Sequence, residues 1–303
     1  MNPQFRTVAV VGAGAMGRGI AQIAAQAGSR VLLVDNQPDA AGKARDAIVA
    51  QWERLEAKGR LDATQLAQYR AALVCATLED LADCDLVVEA IVERLDAKTA
   101  LFRSLEARVR PDTLLATNTS SLSVTAIAAA LERPQRFAGL HFFNPVPLMK
   151  VVEVIGGIRT DETACAALTT YARQMGHMPV RASDTPGFIV NHAGRGYGTE
   201  ALRLVGEGVC DFATADRILR DQVGFKLGPF ELMDLTGLDV SHPVMESIYR
   251  QYYDEPRYRP SALSVRVRHE ADPDNVEFRT TPKVAFVRRE RQPLTGIELC
   301  EPK

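Results

Sequence analysis

A histidine and a glutamate, twelve positions apart in GLHFFNPVPLMKVVEV (residues 139–154), are the pair in this chain best suited to moving a proton. His141 has an imidazole, which titrates near neutral pH and can take and return a proton within one catalytic cycle. Glu153 lies among valines, where a lone carboxylate is costly to bury and a nearby imidazole relieves the cost. Joined, they form a base and its orienting carboxylate, as needed to take a hydroxyl proton while hydride leaves the same carbon. Apart, His141 is a satisfied core histidine and Glu153 half of a structural ion pair. The spacing permits both readings.

Which reading applies depends on the elements that carry them. FAGLH and MKVVEVI read as strands, and Pro145 and Pro147 make the chain reverse between them. Period-two alternation sets Glu153 on one face with Met149, Val151 and Ile155. His141 ends its strand, at the edge where open α/β sheets bind ligands. Upstream, TVAVVG, AMGRGIAQIAAQAG and RVLLVD form a strand, helix and strand, implying parallel strands and a right-handed crossover. Further strands are predicted at ALVCA, DLVVEA, TLLATN and HMPVRA. Helices are predicted over residues 38–72 with a break near KGRLD, over LDAKTALFRSLEARV, from Ser123, and over TDETACAALTTYARQMG. The expected fold class is α/β, a Rossmann-like doubly wound and mostly parallel sheet, with a second, all-helical domain. The turn formers of SDTPG place the boundary near Ser183, giving units 1–183 and 184–263 and an unassigned tail, 264–303, or the start of a further region.

Gly12-Ala13-Gly14-Ala15-Met16-Gly17 fits G-x-G-x-x-G in its required context, with a strand before, a helix after, and Asp35 eighteen residues beyond Gly17 at the end of the next strand. The glycines allow a tight turn and close approach of a pyrophosphate, which would rest on the helix N-terminus from about Ala15. Asp35 would accept from ribose hydroxyls, and with Asn36 and Gln37 beside it there is no cation for a 2′-phosphate, so the cofactor expected is NAD. DLVVEA and TLLATN end at the same crevice, bringing Ala90, Glu93, Asn118 and Ser120 toward the nicotinamide half. Asn118 and Ser120 also have a plainer reading, as turn formers or caps for the helix near Ser123.

Composition narrows the partners. A net charge of −2 with no basic stripe speaks against nucleic acid or an anionic membrane surface. Cys75, Cys84, Cys165, Cys210 and Cys300 are scattered, with no C-x-x-C pair and no histidine at zinc-ligand spacing, so no metal is expected and a reduced, cytoplasmic setting fits. No apolar run is long enough for a membrane span, and the first strand starts too early for a signal peptide.

The motifs GAGAMGRGIA, VVEAIVE, NTSSL, HFFNPVPLMKVVEV, DTPGFIVN and GPFELMDLTGLD, in that order, resemble the 3-hydroxyacyl-CoA dehydrogenase family from about Val8 to Pro260. The resemblance implies NAD-dependent oxidation of an (S)-3-hydroxyacyl-CoA, with His141 as general base, Glu153 orienting it, and Ser120 and Asn191 bonding the reacting oxygen or the histidine. It assigns Glu93, Lys98, Ser120 and Asn144 to the cofactor, beside the glycine loop and Asp35. It implies a helical domain for substrate and for homodimer formation, and coenzyme A phosphates near Lys58 and Arg60 in WERLEAKGRLD, residues that serve equally as a solvated helix end. A non-catalytic NAD-binding sensor or crystallin-like protein on the same scaffold is the reading from another class.

Two departures stand out. After FIVN the chain reads HAGRGYG, and Gly194, Gly196 and Gly198 imply either close helix packing or room for a larger acyl group. Arg195 among them would meet a distal carboxylate or serve as an interface arginine. This glycine-rich version resembles bacterial members acting on 3-hydroxyadipyl-CoA in phenylacetate breakdown, with 3-hydroxybutyryl-CoA the alternative. The family's closing G-R-K-x-G-x-G-[FV]-Y segment is missing from residues 260–303, so its lysine has no counterpart, and the chain is expected to be either part of a longer protein or read across a break.

Overall fold

The computed structural model describes residues 3–264, so the tail assigned to no unit lies, from residue 265 onward, outside the described residues. In the first unit, β1 (Thr7–Val11), α1 (Ala15–Gln26) and β2 (Arg30–Val34) are followed by α2 (Ala40–Ala57), α3 (Ala63–Ala72) and β3 (Leu73–Cys75). Then come β4 (Leu86–Glu89), α4 (Leu95–Glu106), β5 (Leu114–Thr117), α5 (Val124–Ala128), β6 (Phe137–Phe142), β7 (Val151–Gly156), α6 (Glu162–Gln174) and β8 (Met178–Ser183). The eight strands form one sheet in the order β3-β2-β1-β4-β5-β6-β7-β8. Every neighbouring pair is parallel except β6 and β7, which are antiparallel.

Strand alternation explains why both faces are covered. Val8, Val10, Val31 and Leu33 enter one core with Ile20, Ile48, Trp52 and Leu168 of α1, α2 and α6. Ala9, Val11, Leu32 and Val34 enter the other with Phe102 of α4 and Ile127 of α5. Successive side chains thus serve opposite faces, and the near-continuous apolar runs are those of parallel strands buried on both sides. The row expected beside Glu153 is shorter than periodicity suggests, because β7 starts at Val151 and Met149 is exposed in the preceding loop.

The chain divides after Phe188, five residues past the turn at Ser183, because the Phe188 ring still packs into the first unit's core. Described by itself, the second unit is helical: α7 (Val190–Ala193), α8 (Arg195–Gly206), α9 (Phe212–Asp221), α10 (Pro229–Thr236) and α11 (Leu238–Gln251). Leu202, Val205, Phe212, Phe230 and Met245 are among its core residues. Pro229 takes the first helical position of α10, where a missing N–H costs nothing, and the Gly228 amide donates to Glu231 Oε2 at 2.8 Å. The three glycines after Asn191 divide by role. A Cβ on Gly198 would lie 2.8 Å from Met233 Cε of α10, so Gly198 serves close helix packing, whereas one on Gly196 would meet nothing within 4 Å. Gly194 lies between α7 and α8, where a Cβ would come 2.9 Å from the Val190 carbonyl. No described helix is long and apolar enough to cross a membrane.

Candidate active site

The antiparallel register of β6 and β7 sets His141 directly opposite Glu153. Residues paired this way project from the same face with neighbouring Cβ atoms, so the loop bearing Asn144, Pro145 and Pro147 brings imidazole and carboxylate together. His141 Nδ1 lies 2.6 Å from Glu153 Oε2, with the histidine 3% and the glutamate 0% exposed. An ionised carboxylate only accepts, so Nδ1–H donates to Glu153 and Nε2 keeps its lone pair. Ser120 Oγ sits 3.1 Å from Nε2 and marks the point a substrate hydroxyl would approach. Phe143 and Phe188 flank the imidazole, with ring centroids at 4.5 and 5.8 Å. His141 is therefore buried, yet its Nε2 is directed at a hydroxyl rather than into the core.

Ser120 is itself held by a charged cluster. Glu93 Oε1 accepts from the amides of Ser120 at 2.8 Å and Ser121 at 3.0 Å, and from the hydroxyls of Thr119 at 2.6 Å and Ser121 at 3.1 Å. Burial would raise the Glu93 pKa, but the Lys98 ammonium, the Thr119 hydroxyl and the two amides outweigh it and hold the carboxyl below the usual range. Lys98 is 1% exposed, with Nζ 2.5 Å from Glu89 Oε1 and 3.3 Å from Glu93 Oε2, so it faces the crevice only through Glu93. Glu89, at the end of β4, also accepts from the Ile91 amide at 2.7 Å and the Thr117 hydroxyl at 2.7 Å. Lys98 and Glu89 are buried while Glu93 reaches the surface, and each has its partners, the condition under which the buried charges are tolerable. Glu89, Thr117 and Thr119 are absent from the expected set; the signal for Glu89 was a carboxylate ending the apolar strand DLVVEA nine residues before a lysine. Asn118, also on this edge, accepts from the Phe142 amide at 2.8 Å and ties β5 to β6. Asn144 is exposed in the loop between His141 and Glu153.

The glycine loop has the shape a dinucleotide requires. Gly12 has φ +106°, and a Cβ there would fall 2.5 Å from the Ala90 carbonyl; one on Gly17 would fall 1.6 Å from the Gly12 carbonyl. Gly14 is the opposite case, for a Cβ there would meet nothing within 4 Å, leaving open space at the N-terminus of α1. No side chain caps α1 and no acidic residue lies in its first turn, so its amides are available to an anion. Ala15 is exposed at that terminus, while Met16 leans on the core beneath. Asp35 Oδ2 accepts from the Ala13 amide at 2.6 Å and Oδ1 from the Gln37 amide at 2.8 Å. Each oxygen has a second lone-pair site for a ribose hydroxyl. The residues present thus fit NAD. Asp35→Ser is expected to raise the Kd for NADH roughly 10- to 100-fold, the loss of charge-assisted hydrogen bonds, and to narrow the preference over NADPH; fluorescence titration of both cofactors checks this.

Lys58 caps the C-terminus of α2 and Arg60 follows it, both exposed at the tip of the hairpin between α2 and α3. Asn191 and Arg195 lie one helical turn apart in the second unit, with Arg195 Nη2 3.4 Å from Asn191 Oδ1. The described residues hold no cluster of histidine, cysteine or carboxylate side chains suited to a metal ion.

Residues 7–185 match the 3-hydroxyacyl-CoA dehydrogenase NAD binding domain and residues 187–274 that family's C-terminal domain. The 3-hydroxyadipyl-CoA dehydrogenase of Escherichia coli (strain K12) is 45% identical over 259 residues, 85% of this chain but 54% of the relative, so the chain spans about half that protein's length. A probable 3-hydroxybutyryl-CoA dehydrogenase of Deinococcus radiodurans is 41% identical over 255 residues, covering 84% of this chain and 91% of the relative. The crystal structure of (S)-3-hydroxybutyryl-CoA dehydrogenase from Ralstonia eutropha superposes with a TM-score of 0.85 at 36% identity, covering 88% of this chain and 94% of that one. With a nucleotide loop shaped for NAD, and both domains of one family matched in order, the chain belongs to the 3-hydroxyacyl-CoA dehydrogenase family, whose N-terminal domain binds NAD.

Proposed function

We propose that this chain catalyses the reversible oxidation of an (S)-3-hydroxyacyl-CoA to the 3-oxoacyl-CoA. The observation that carries this reading is the buried alignment of Glu153, His141 and Ser120, at 2.6 and 3.1 Å, on the sheet edge that also bears the glycine loop. His141 Nε2 takes the proton of the 3-hydroxyl, and the imidazolium that forms is stabilised by Glu153. NAD, when bound, supplies the nicotinamide ring that accepts hydride from C3. Ser120 holds the reacting oxygen beside Nε2. In the reverse direction His141 returns the proton to the 3-oxo oxygen. Glu93, held by the buried Lys98, keeps that serine in place through its amide without taking part in the proton transfer. Lys58 and Arg60 are the cations we assign to coenzyme A phosphates.

The substrate we infer is 3-hydroxyadipyl-CoA, as a step in phenylacetate breakdown in the cytoplasm; the E. coli relative of that name supports it. The alternative is 3-hydroxybutyryl-CoA, after which other relatives are named. A homodimer through the helical unit is supported by its exposed Val209, Ile218, Val223, Phe225 and Leu235. The test follows NADH absorbance while 3-oxoadipyl-CoA and acetoacetyl-CoA are offered. We expect turnover of both, with kcat/KM about tenfold higher for the adipyl compound, as one added ionic contact implies. Binding of NADH without turnover of any acyl-CoA would replace the enzyme by a sensor, and a reversed preference would favour the butyryl substrate.

A further inference from the structure

Glu89 ends β4 with its carboxylate sealed from solvent. It accepts from the Lys98 ammonium at 2.5 Å, the Ile91 amide at 2.7 Å and the Thr117 hydroxyl at 2.7 Å, none of which belongs to the aligned trio of Glu153, His141 and Ser120. Burying a carboxylate with an ammonium costs desolvation that their attraction barely repays, so an apolar pair of the same volume would join this strand to α4 equally well. What the ion pair adds is found further along its contacts. The register of β4 sets Glu89 beside Val11 of β1 and Thr117 of β5, and two chains of contacts run from it to one loop. Through Oε1 it holds Lys98, whose Nζ lies 3.3 Å from Glu93 Oε2, while Glu93 Oε1 gathers the Ser120 and Ser121 amides and the Thr119 and Ser121 hydroxyls. Through Oε2 it takes the single proton of the Thr117 hydroxyl, which therefore turns lone pairs toward the Thr119 amide at 3.3 Å. Both chains end on residues 119–121.

The unequal distances about Lys98 show how the load is divided. The ammonium sits closer to Glu89 than to Glu93, at 2.5 against 3.3 Å, so one oxygen of Glu93 is lightly held and the other is left to the loop. With Glu93 as its sole carboxylate, a buried ammonium would close on it, because an ion withdrawn from water gains most from its nearest opposite charge. The Glu93 carboxylate would then turn toward α4, and Oε1 would leave the Ser120 amide. The Ser120 hydroxyl, 3.1 Å from His141 Nε2, is fixed only as firmly as that amide. We propose that Glu89 is a positioning residue for the dehydrogenase reaction: by taking the larger share of Lys98, it keeps Glu93 on the loop and the Ser120 hydroxyl at His141.

This role rests on the dehydrogenase reading given above, and one arm of its test needs no substrate. Glu89→Gln keeps the shape of the side chain and removes its charge. Amide hydrogen exchange at Ser120 and Ser121 should quicken in this variant about tenfold more than at Arg30, as loss of roughly one net hydrogen bond implies; the Arg30 amide donates to the Arg6 carbonyl at the opposite end of the strands. On the same variant kcat for a 3-hydroxyacyl-CoA should fall by about 10- to 100-fold, the cost of displacing a group at the reacting centre by about 1 Å, with KM held within about threefold. Glu89→Asp, which keeps the charge but draws it back by one methylene, should lie between. A carboxylate with a structural role alone would quicken exchange at Arg30 as much as at Ser120, and that result overturns the proposal. Local quickening with kcat unchanged overturns it as well, and either result leaves the dehydrogenase standing. A wild type that oxidises no 3-hydroxyacyl-CoA overturns the dehydrogenase reading and the role in turnover together. Should Glu89→Gln not fold, Glu89→Asp decides, since wild-type exchange at Ser120 and Ser121 in that variant contradicts the role.

Discussion

His141→Ala should lower kcat by about 10³-fold, within the range by which a positioned general base accelerates proton transfer. The magnitude follows from the geometry. Nε2 is the lone pair directed at the Ser120 hydroxyl, and Nδ1 is committed to Glu153 at 2.6 Å, so no other described side chain on this edge combines a lone pair with that position. Alanine also removes the imidazole from the Glu153 carboxylate, 0% exposed, and loss of one hydrogen-bond partner from a buried charge is expected to destabilise the fold by about 1–3 kcal/mol. Activity and stability must therefore be measured separately. Glu153→Gln makes the distinction, for the amide still accepts from Nδ1–H but no longer stabilises an imidazolium, and a loss of about 10²-fold in kcat is expected with a smaller change in Tm. Steady-state NADH formation, beside an NADH titration to show that the cofactor site is intact, checks both variants. Turnover by His141→Ala within tenfold of the wild type would remove His141 from the role of base.

The second large effect belongs to the glycine loop. Gly17→Ala would place a methyl carbon 1.6 Å from the Gly12 carbonyl oxygen, well inside any tolerable contact and against backbone rather than a yielding side chain. The loop must open or α1 must shift from β1, and we expect a stability loss of about 3 kcal/mol, at the upper end for overpacking, and NADH affinity reduced beyond about 100-fold. Gly14→Ala is the informative companion. Its added carbon meets nothing in the protein, so Tm should hold while NADH binding weakens, because the space it fills is the approach to the α1 N-terminus. Thermal unfolding and NADH titration on the two variants separate a glycine the fold requires from one the ligand requires. Equal losses of Tm would contradict that division.

Much of this architecture was legible in the chain. Each of the eight strands announced itself as a short apolar run, and the glycine loop came with its strand, helix and acid in place. What the pattern did not convey was register. Alternation told which face Glu153 takes, but the residue opposite it is decided by where the loop between β6 and β7 closes, and that placed His141 there. Nor did the pattern disclose the ionic group under Ser120. Glu89 ends a strand that reads as apolar, and its reach to Lys98 and Thr117 depends on the lateral order of β4 and β5 in the sheet. Lys98 carried a related ambiguity, since a lysine on a helix ordinarily belongs to solvent and this one is sealed between two glutamates. Of the glycines near Arg195, Gly198 serves the helix packing that was one of two readings, against Met233, while Gly196 is exposed on the surface of α8.

The eighth strand closes the sheet on the side of β7. β7, which carries Glu153, is flanked by β6 on one side and by β8 on the other, so the carboxylate is one strand in from the margin. Sheet margins fray first, because their backbone groups have neighbours on one side only. Fraying that begins at this margin would meet β8, whose residues are mostly half-buried or exposed, before it reaches His141 and Glu153. β8 is therefore expected to exchange its amide hydrogens faster than β6 and β7, which hydrogen-exchange measurement would show.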